Sequence, residues 1–99
     1  MSGNDTGIKP IVLDQIVEIA KQYDLDRVIL FGSRARGDYK RTSDIDLAIR
    51  GGNGDRFTLA VEEETDTLLK YDVVNMDSSV PEELLQSIDK EGVVIYEKI

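Results

Sequence analysis

Arg27-Val28-Ile29-Leu30-Phe31-Gly32-Ser33-Arg34-Ala35-Arg36-Gly37, and then Ser43-Asp44-Ile45-Asp46-Leu47-Ala48-Ile49, is the stretch that decides how this chain folds. The apolar run Arg27 to Phe31 is short and β-branched, the pattern of a buried strand. Asp44 to Ile49 alternates polar and apolar, so it reads as a second strand with Ile45, Leu47 and Ile49 turned to the core. Gly32 to Thr42 is a loop with room for one helical turn around Arg34. It is too short for a long crossover, which predicts antiparallel pairing of the two strands.

Outward from that pair, the remaining elements follow from spacing. Val12, Ile16, Ile19, Ala20 and Tyr23 recur at helical intervals after Pro10, a residue suited to a first helical turn. Gly51-Gly52-Asn53-Gly54 is a turn. Asp55 to Leu69 reads as a helix with Phe57, Ala60, Val61 and Leu68 inward and Glu62-Glu63-Glu64 outward. Asp72 to Met76 is a third strand. Ser79 and Glu82 have capping-box spacing and open a helix through Leu84, Leu85 and Ile88, with Gly92 as its stop. Val93 to Tyr96 is a fourth strand. The order α-β-β-α-β-α-β predicts an α+β domain, a mixed sheet of about four strands flanked by helices. The polar segment Met1 to Gly7 is read as a disordered, frayed start.

At 99 residues the chain suits one domain, here taken as 1–99. It has no Cys and no His, which removes thiolate chemistry, imidazole bases and the commonest transition-metal ligands. Catalysis would have to run on carboxylates, with a hard oxygen-seeking ion such as Mg²⁺. A net charge of −8 argues against steering onto nucleic acid. Arg34, Arg36, Lys40 and Arg41 form a local basic cluster against that background. With no apolar run long enough for a membrane span and no signal peptide, the expected location is cytoplasmic.

The chemistry concentrates in the same stretch. Residues two apart on a strand share a face, about 6.6 Å apart along the chain. Asp44 and Asp46 therefore stand side by side, and a divalent cation between them would remove their repulsion. Taken alone, Asp-x-Asp is most often the wet face of an edge strand, and Gly-Ser after a strand is most often a surface turn. Together they put a phosphate-binding loop beside a metal-binding strand. Gly32 permits close backbone approach, Ser33 offers a hydroxyl and an N–H, and Arg34 and Arg36 offer charge-assisted contacts to phosphate. Asp72, near the start of the third strand, would complete a three-carboxylate site, although Asp66 and Asp77 lie close enough to compete for that position. Such a set suits in-line phosphoryl or nucleotidyl transfer.

Gly32-Ser33, Asp44-x-Asp46 and Asp72, with the form Gly-Ser-Arg-Ala-Arg-Gly and the ending Glu-Gly-Val-Val-Ile-Tyr, resemble the signature of the minimal nucleotidyltransferase branch of the DNA polymerase beta-like superfamily. The likeness runs from about Leu25 to Tyr96. It implies a catalytic and metal-binding set of Asp44, Asp46 and Asp72, Mg²⁺ as cofactor and a nucleoside triphosphate, with ATP expected, as substrate. Gly32, Ser33, Arg34, Arg36 and Ser43 are the expected nucleotide-binding residues. The resemblance also implies a small helical HEPN-type partner, onto which AMP is transferred, with this chain as the antitoxin of a toxin–antitoxin pair. A non-catalytic antitoxin acting by occlusion is the alternative, and a small-molecule or RNA-end acceptor a third reading. A homodimer would suit a domain this small as well.

Overall fold

The computed structural model describes residues 6–99. The reading of the first seven residues as frayed lies outside the described residues for 1–5. The Thr6 hydroxyl accepts from the Ile8 N–H, and its carbonyl accepts from Arg34.

Helix α1 (Pro10–Gln22) begins with the proline and buries Val12, Ile16, Ile19 and Ala20 on one stripe. Strand β1 (Arg27–Phe31) runs into a single helical turn, α2 (Ser33–Arg36), which adds one short element to the predicted order. Strand β2 (Ile45–Arg50) leads through Asn53, whose side chain accepts from the Arg56 N–H, into α3 (Gly54–Glu64). Then come β3 (Tyr71–Asn75), α4 (Glu82–Glu91) and β4 (Val93–Glu97).

The sheet order is β3-β2-β1-β4. β1 pairs antiparallel with β2, setting Phe31 opposite Asp46, and antiparallel with β4. β2 and β3 are parallel, with α3 as the crossover between them. The sheet is therefore mixed, and the two carboxylates of interest belong to an interior strand and the approach to it, not to an edge. On one face, Val28, Leu30, Ile45, Leu47 and Ile49 pack with the buried stripes of α1 and α3. On the other, Ile29, Phe31 and Ala48 pack with Ile88 of α4. The side-chain alternation along β2 thus sends Ile45, Leu47 and Ile49 one way and Asp46 and Ala48 the other.

Two sequence expectations are corrected. The helix after β2 stops at Glu64, not Leu69, because Thr65 leaves helical geometry and its hydroxyl turns back to the Val61 carbonyl at 2.6 Å. Leu68 therefore lies beyond the helix and is fully exposed, whereas Phe57, Ala60 and Val61 are buried. Ser79 does not cap α4: Pro81 occupies that position and no side chain caps it. Gly92 ends α4 as expected, passing straight into extended backbone (φ −67°, ψ 146°).

The contrast between two apolar residues of one segment gives a direct check. Phe57→Ala, which empties a fully buried site, should lower unfolding free energy by about 3–5 kcal/mol. Leu68→Ala should stay within about 0.5 kcal/mol of the parent. Urea denaturation of both variants reads the difference.

Candidate active site

The Gly32-Ser33 turn, the start of β2 and the start of β3 meet at one end of the sheet. Gly32 has φ +76° and ψ −158°, a conformation essentially confined to glycine. A Cβ there would collide with Asp46 Oδ2. The close approach that Gly32 permits is thus first of all to a carboxylate of its own chain. Ser33 opens α2, and its N–H and that of Arg34 have no acceptor within the turn.

The parallel register of β2 and β3 sets Asp46 directly opposite Asp72. Asp44 immediately precedes β2 and is exposed, as is Asp72, while Asp46 is half-buried. Asp46 is held above the usual carboxylate range, first by burial and then by the negative charges of Asp72 and Asp44, with Arg36 and Arg34 opposing. These three carboxylates therefore act on one another electrostatically. The two other aspartates that compete in sequence for the third position lie elsewhere. Asp66 is held by Gln15 through both its backbone N–H (2.8 Å) and its carboxylate (3.2 Å). Asp77 accepts from the Gly51 N–H at 2.7 Å, beyond the far end of β2.

Of the basic residues, Arg34 does not face outward to a ligand. It is 2% exposed, and its guanidinium donates to the carbonyls of Thr6, Lys40, Arg41 and Ser43. The structure thus places it beneath the loop, with four of its five N–H donors taken. Arg36 is the accessible one. It pairs with Asp38 (3.3 Å) and with Glu91 at the end of α4 (3.1 Å), and these carboxylates raise its pKa further. The Ser43 hydroxyl accepts from the Lys40 N–H at 2.8 Å, closing the turn before Asp44.

Several residues that hold this end together escaped the sequence reading. The Ile45 N–H donates to the Lys70 carbonyl, fixing the start of β2 against the approach to β3. The Thr65 hydroxyl bonds the Val61 carbonyl, so the Tyr71 hydroxyl is the donor in its 2.7 Å bond to Thr65. That bond anchors the residue before Asp72, and burial raises the Tyr71 pKa. Neither contact has a periodic signature, because each joins a loop to a strand end.

Could these carboxylates hold Mg²⁺? Among the described residues no three or more carboxylates are grouped so that they alone could hold a metal ion. Mg²⁺ does not need such a group, since it keeps several waters and is held by one or two carboxylates together with substrate phosphates. The mutual repulsion around Asp46 is what a divalent cation would relieve, so the donor set fits the ion.

A four-stranded mixed sheet with a glycine turn facing clustered carboxylates is the architecture of a nucleotidyl-transfer domain. The chain belongs to the polymerase beta nucleotidyltransferase family, whose model matches residues 14–99. It is 38% identical over 81 residues to a candidate protein adenylyltransferase of Methanocaldococcus jannaschii, covering 73% of this chain and 79% of that protein. A second such protein of the same organism is 49% identical over 45 residues, 35% of this chain and 46% of its own length. The fold resembles a toxin–antitoxin complex with AMP-PNP (TM-score 0.66, 23% identity, covering 87% of this chain and 73% of that one). It also resembles a structure from Shewanella oneidensis (TM-score 0.65, 17% identity, 92% and 74% covered). Among the described residues no helix is long and apolar enough to cross a membrane.

The raised Asp46 pKa has a stability consequence with a definite sign. Ionising this carboxyl weighs against the folded state, fully so above its folded pKa. The penalty shrinks as pH falls and is gone below the ordinary value of 3.8. Asp46→Asn should therefore raise the melting temperature of the metal-free protein at neutral pH. The gain should fade as pH falls toward the ordinary carboxylate value of 3.8. Calorimetry across that range reads it, and a gain that grew on acidification would contradict the cause given.

Proposed function

We propose that this chain is a Mg²⁺-dependent nucleotidyltransferase that moves AMP from ATP to a hydroxyl of a partner protein, as the antitoxin of a toxin–antitoxin pair. The observation that carries the proposal is Asp46, wedged against Gly32, opposite Asp72 and beside Asp44. Family membership supports nucleotidyl transfer, and the relatives in Methanocaldococcus jannaschii favour a protein acceptor. The AMP-PNP in a toxin–antitoxin complex of similar fold favours an adenine nucleotide and a toxin as partner.

In the reaction, an acceptor hydroxyl oxygen attacks the α-phosphorus in line with the departing pyrophosphate. The new oxygen–phosphorus bond forms as the bond to the bridging α–β oxygen breaks, and pyrophosphate carries away that electron pair. Ser33 and the first N–H groups of α2 receive triphosphate oxygens, and Arg36 adds positive charge once it parts from Asp38 or Glu91. Asp44 and Asp46 would hold Mg²⁺, with Asp72 completing the set; bound there, the ion supplies positive charge against the triphosphate oxygens. Asp72 accepts the acceptor's proton, which its exposure allows to pass on to solvent.

Titration of the protein with ATP, with and without Mg²⁺, followed by amide shifts, tests the site. Mg²⁺-dependent shifts should appear at Gly32, Ser33, Asp44, Asp46 and Asp72. Asp44→Asn should weaken them and lower transfer to the partner by at least about 100-fold, with the fold intact. Absence of shifts at millimolar nucleotide, or full neutralisation of the partner by Asp44→Asn, would replace catalysis with occlusion as the mode of action.

A further inference from the structure

Arg34 is the largest fully buried side chain among the described residues, and none of their carboxylates pairs with it. Its charge is met by carbonyl dipoles. Nε donates to Ser43 O at 3.1 Å, Nη1 to Thr6 O at 2.8 Å, and Nη2 to Arg41 O at 3.3 Å and Lys40 O at 3.5 Å. The guanidinium carbon lies 4.8 Å from the centroid of the Tyr39 ring. Gly7, at φ +70°, closes the other side, where a Cβ would collide with Arg34 Nη1 and Tyr39 Cε2. This is a built socket, joining three segments that have no regular secondary structure in common.

Arg34 stands next to Ser33 in α2, and Ser43, whose carbonyl it holds, is the residue before Asp44. Within the Lys40–Ser43 turn itself, the other hydrogen bonds among the described residues are local, from the Ser43 N–H to Lys40 O and from the Lys40 N–H to the Ser43 hydroxyl. Those bonds shape the turn without fixing where it stands. We propose that Arg34 is a positioning residue for the transfer reaction, pinning the Lys40–Ser43 turn so that Asp44 stands at a fixed place relative to Gly32 and Ser33. This inference rests on the nucleotidyl-transfer reading of the site. It removes Arg34 from the phosphate-binding set and leaves Arg36 as the phosphate-facing arginine of the turn. Only a planar guanidinium presents diverging donors to four carbonyls at once; an ammonium is a point charge with three donors.

The test compares the parent with Arg34→Lys, by amide hydrogen exchange without ligand and by the dissociation constant for Mg²⁺-ATP from amide shifts. The expected result is exchange of the Lys40 and Ser43 amides accelerated at least about 10-fold, with β1, β2 and α1 still protected. Alongside it, Mg²⁺-ATP should bind about 10- to 100-fold more weakly, the usual effect of removing a residue that orients a ligand side chain. A loosened turn with parental Mg²⁺-ATP affinity would make Arg34 a structural brace only and overturn the proposal. So would a turn that does not loosen. Should Arg34→Lys fail to fold, Gly7→Ala and Tyr39→Leu disturb the socket from its two faces and are judged by the same two readouts. A parent that binds no Mg²⁺-ATP would take down the nucleotidyl-transfer reading itself, and this proposal with it.

Discussion

Everything at the candidate site depends on one unfavourable arrangement, the placing of Asp46 and Asp72 opposite each other on adjacent parallel strands. Like charges facing across a sheet are destabilising. Asp46 is also partly withdrawn from water, and Asp44 adds its field from the residue before the strand. Nothing in the packing of the two strands requires carboxylates there, since Leu47 and Val73, the next pair along, are apolar and take part in the core. The fold gathers negative charge at one end of its sheet, where burial and the like charges of Asp72 and Asp44 outweigh the opposing Arg36 and Arg34. A site tuned for a cation and a polyanion together has that character, because the two ligands complete each other's charge.

The surrounding structure is arranged to tolerate this strain. Both faces of the sheet are covered, by α1 and α3 on one side and α4 on the other, so the repulsion sits at the end of a well-packed β2. Tyr71 is anchored through Thr65, and the Ile45 N–H through the Lys70 carbonyl, so the carboxylates cannot relieve their repulsion simply by fraying of the strand ends. Gly32 yields its side-chain space to Asp46. The single turn of α2 is then held from below by Arg34 and from the α4 side by the Arg36–Glu91 pair. The latter is surface-exposed on the arginine side and worth little as stability. Its interest lies in where it holds the one accessible arginine of the turn.

The two arginines of Gly-Ser-Arg-Ala-Arg-Gly show how far a local motif can be read. They are identical in chemistry and two residues apart, and in sequence either suits a phosphate. On a single helical turn, residues two apart point in different directions, so one goes under the loop and the other out toward solvent. Which does which is set by Thr6, Gly7 and Tyr39, residues that carry no catalytic signature of their own.

By itself the sequence determined the element types, the antiparallel pairing of the first two strands, the buried stripes of the first and third helices, and the set of residues that could bear chemistry. These rest on short-range rules: alternation of period two, helical spacing, and the length of one loop. Only the tertiary structure decided that β2 lies inside the sheet, that Asp72 and neither Asp66 nor Asp77 faces Asp46, that α3 ends before Leu68, and that Arg34 is buried. Apart from the end of α3, which the local Thr65–Val61 bond sets, these turn on partners distant along the chain, such as Gln15 for Asp66, Gly51 for Asp77 and Thr6 for Arg34. A local pattern cannot name such partners, because the hydrogen bonds that choose among equivalent residues form only once the chain has packed.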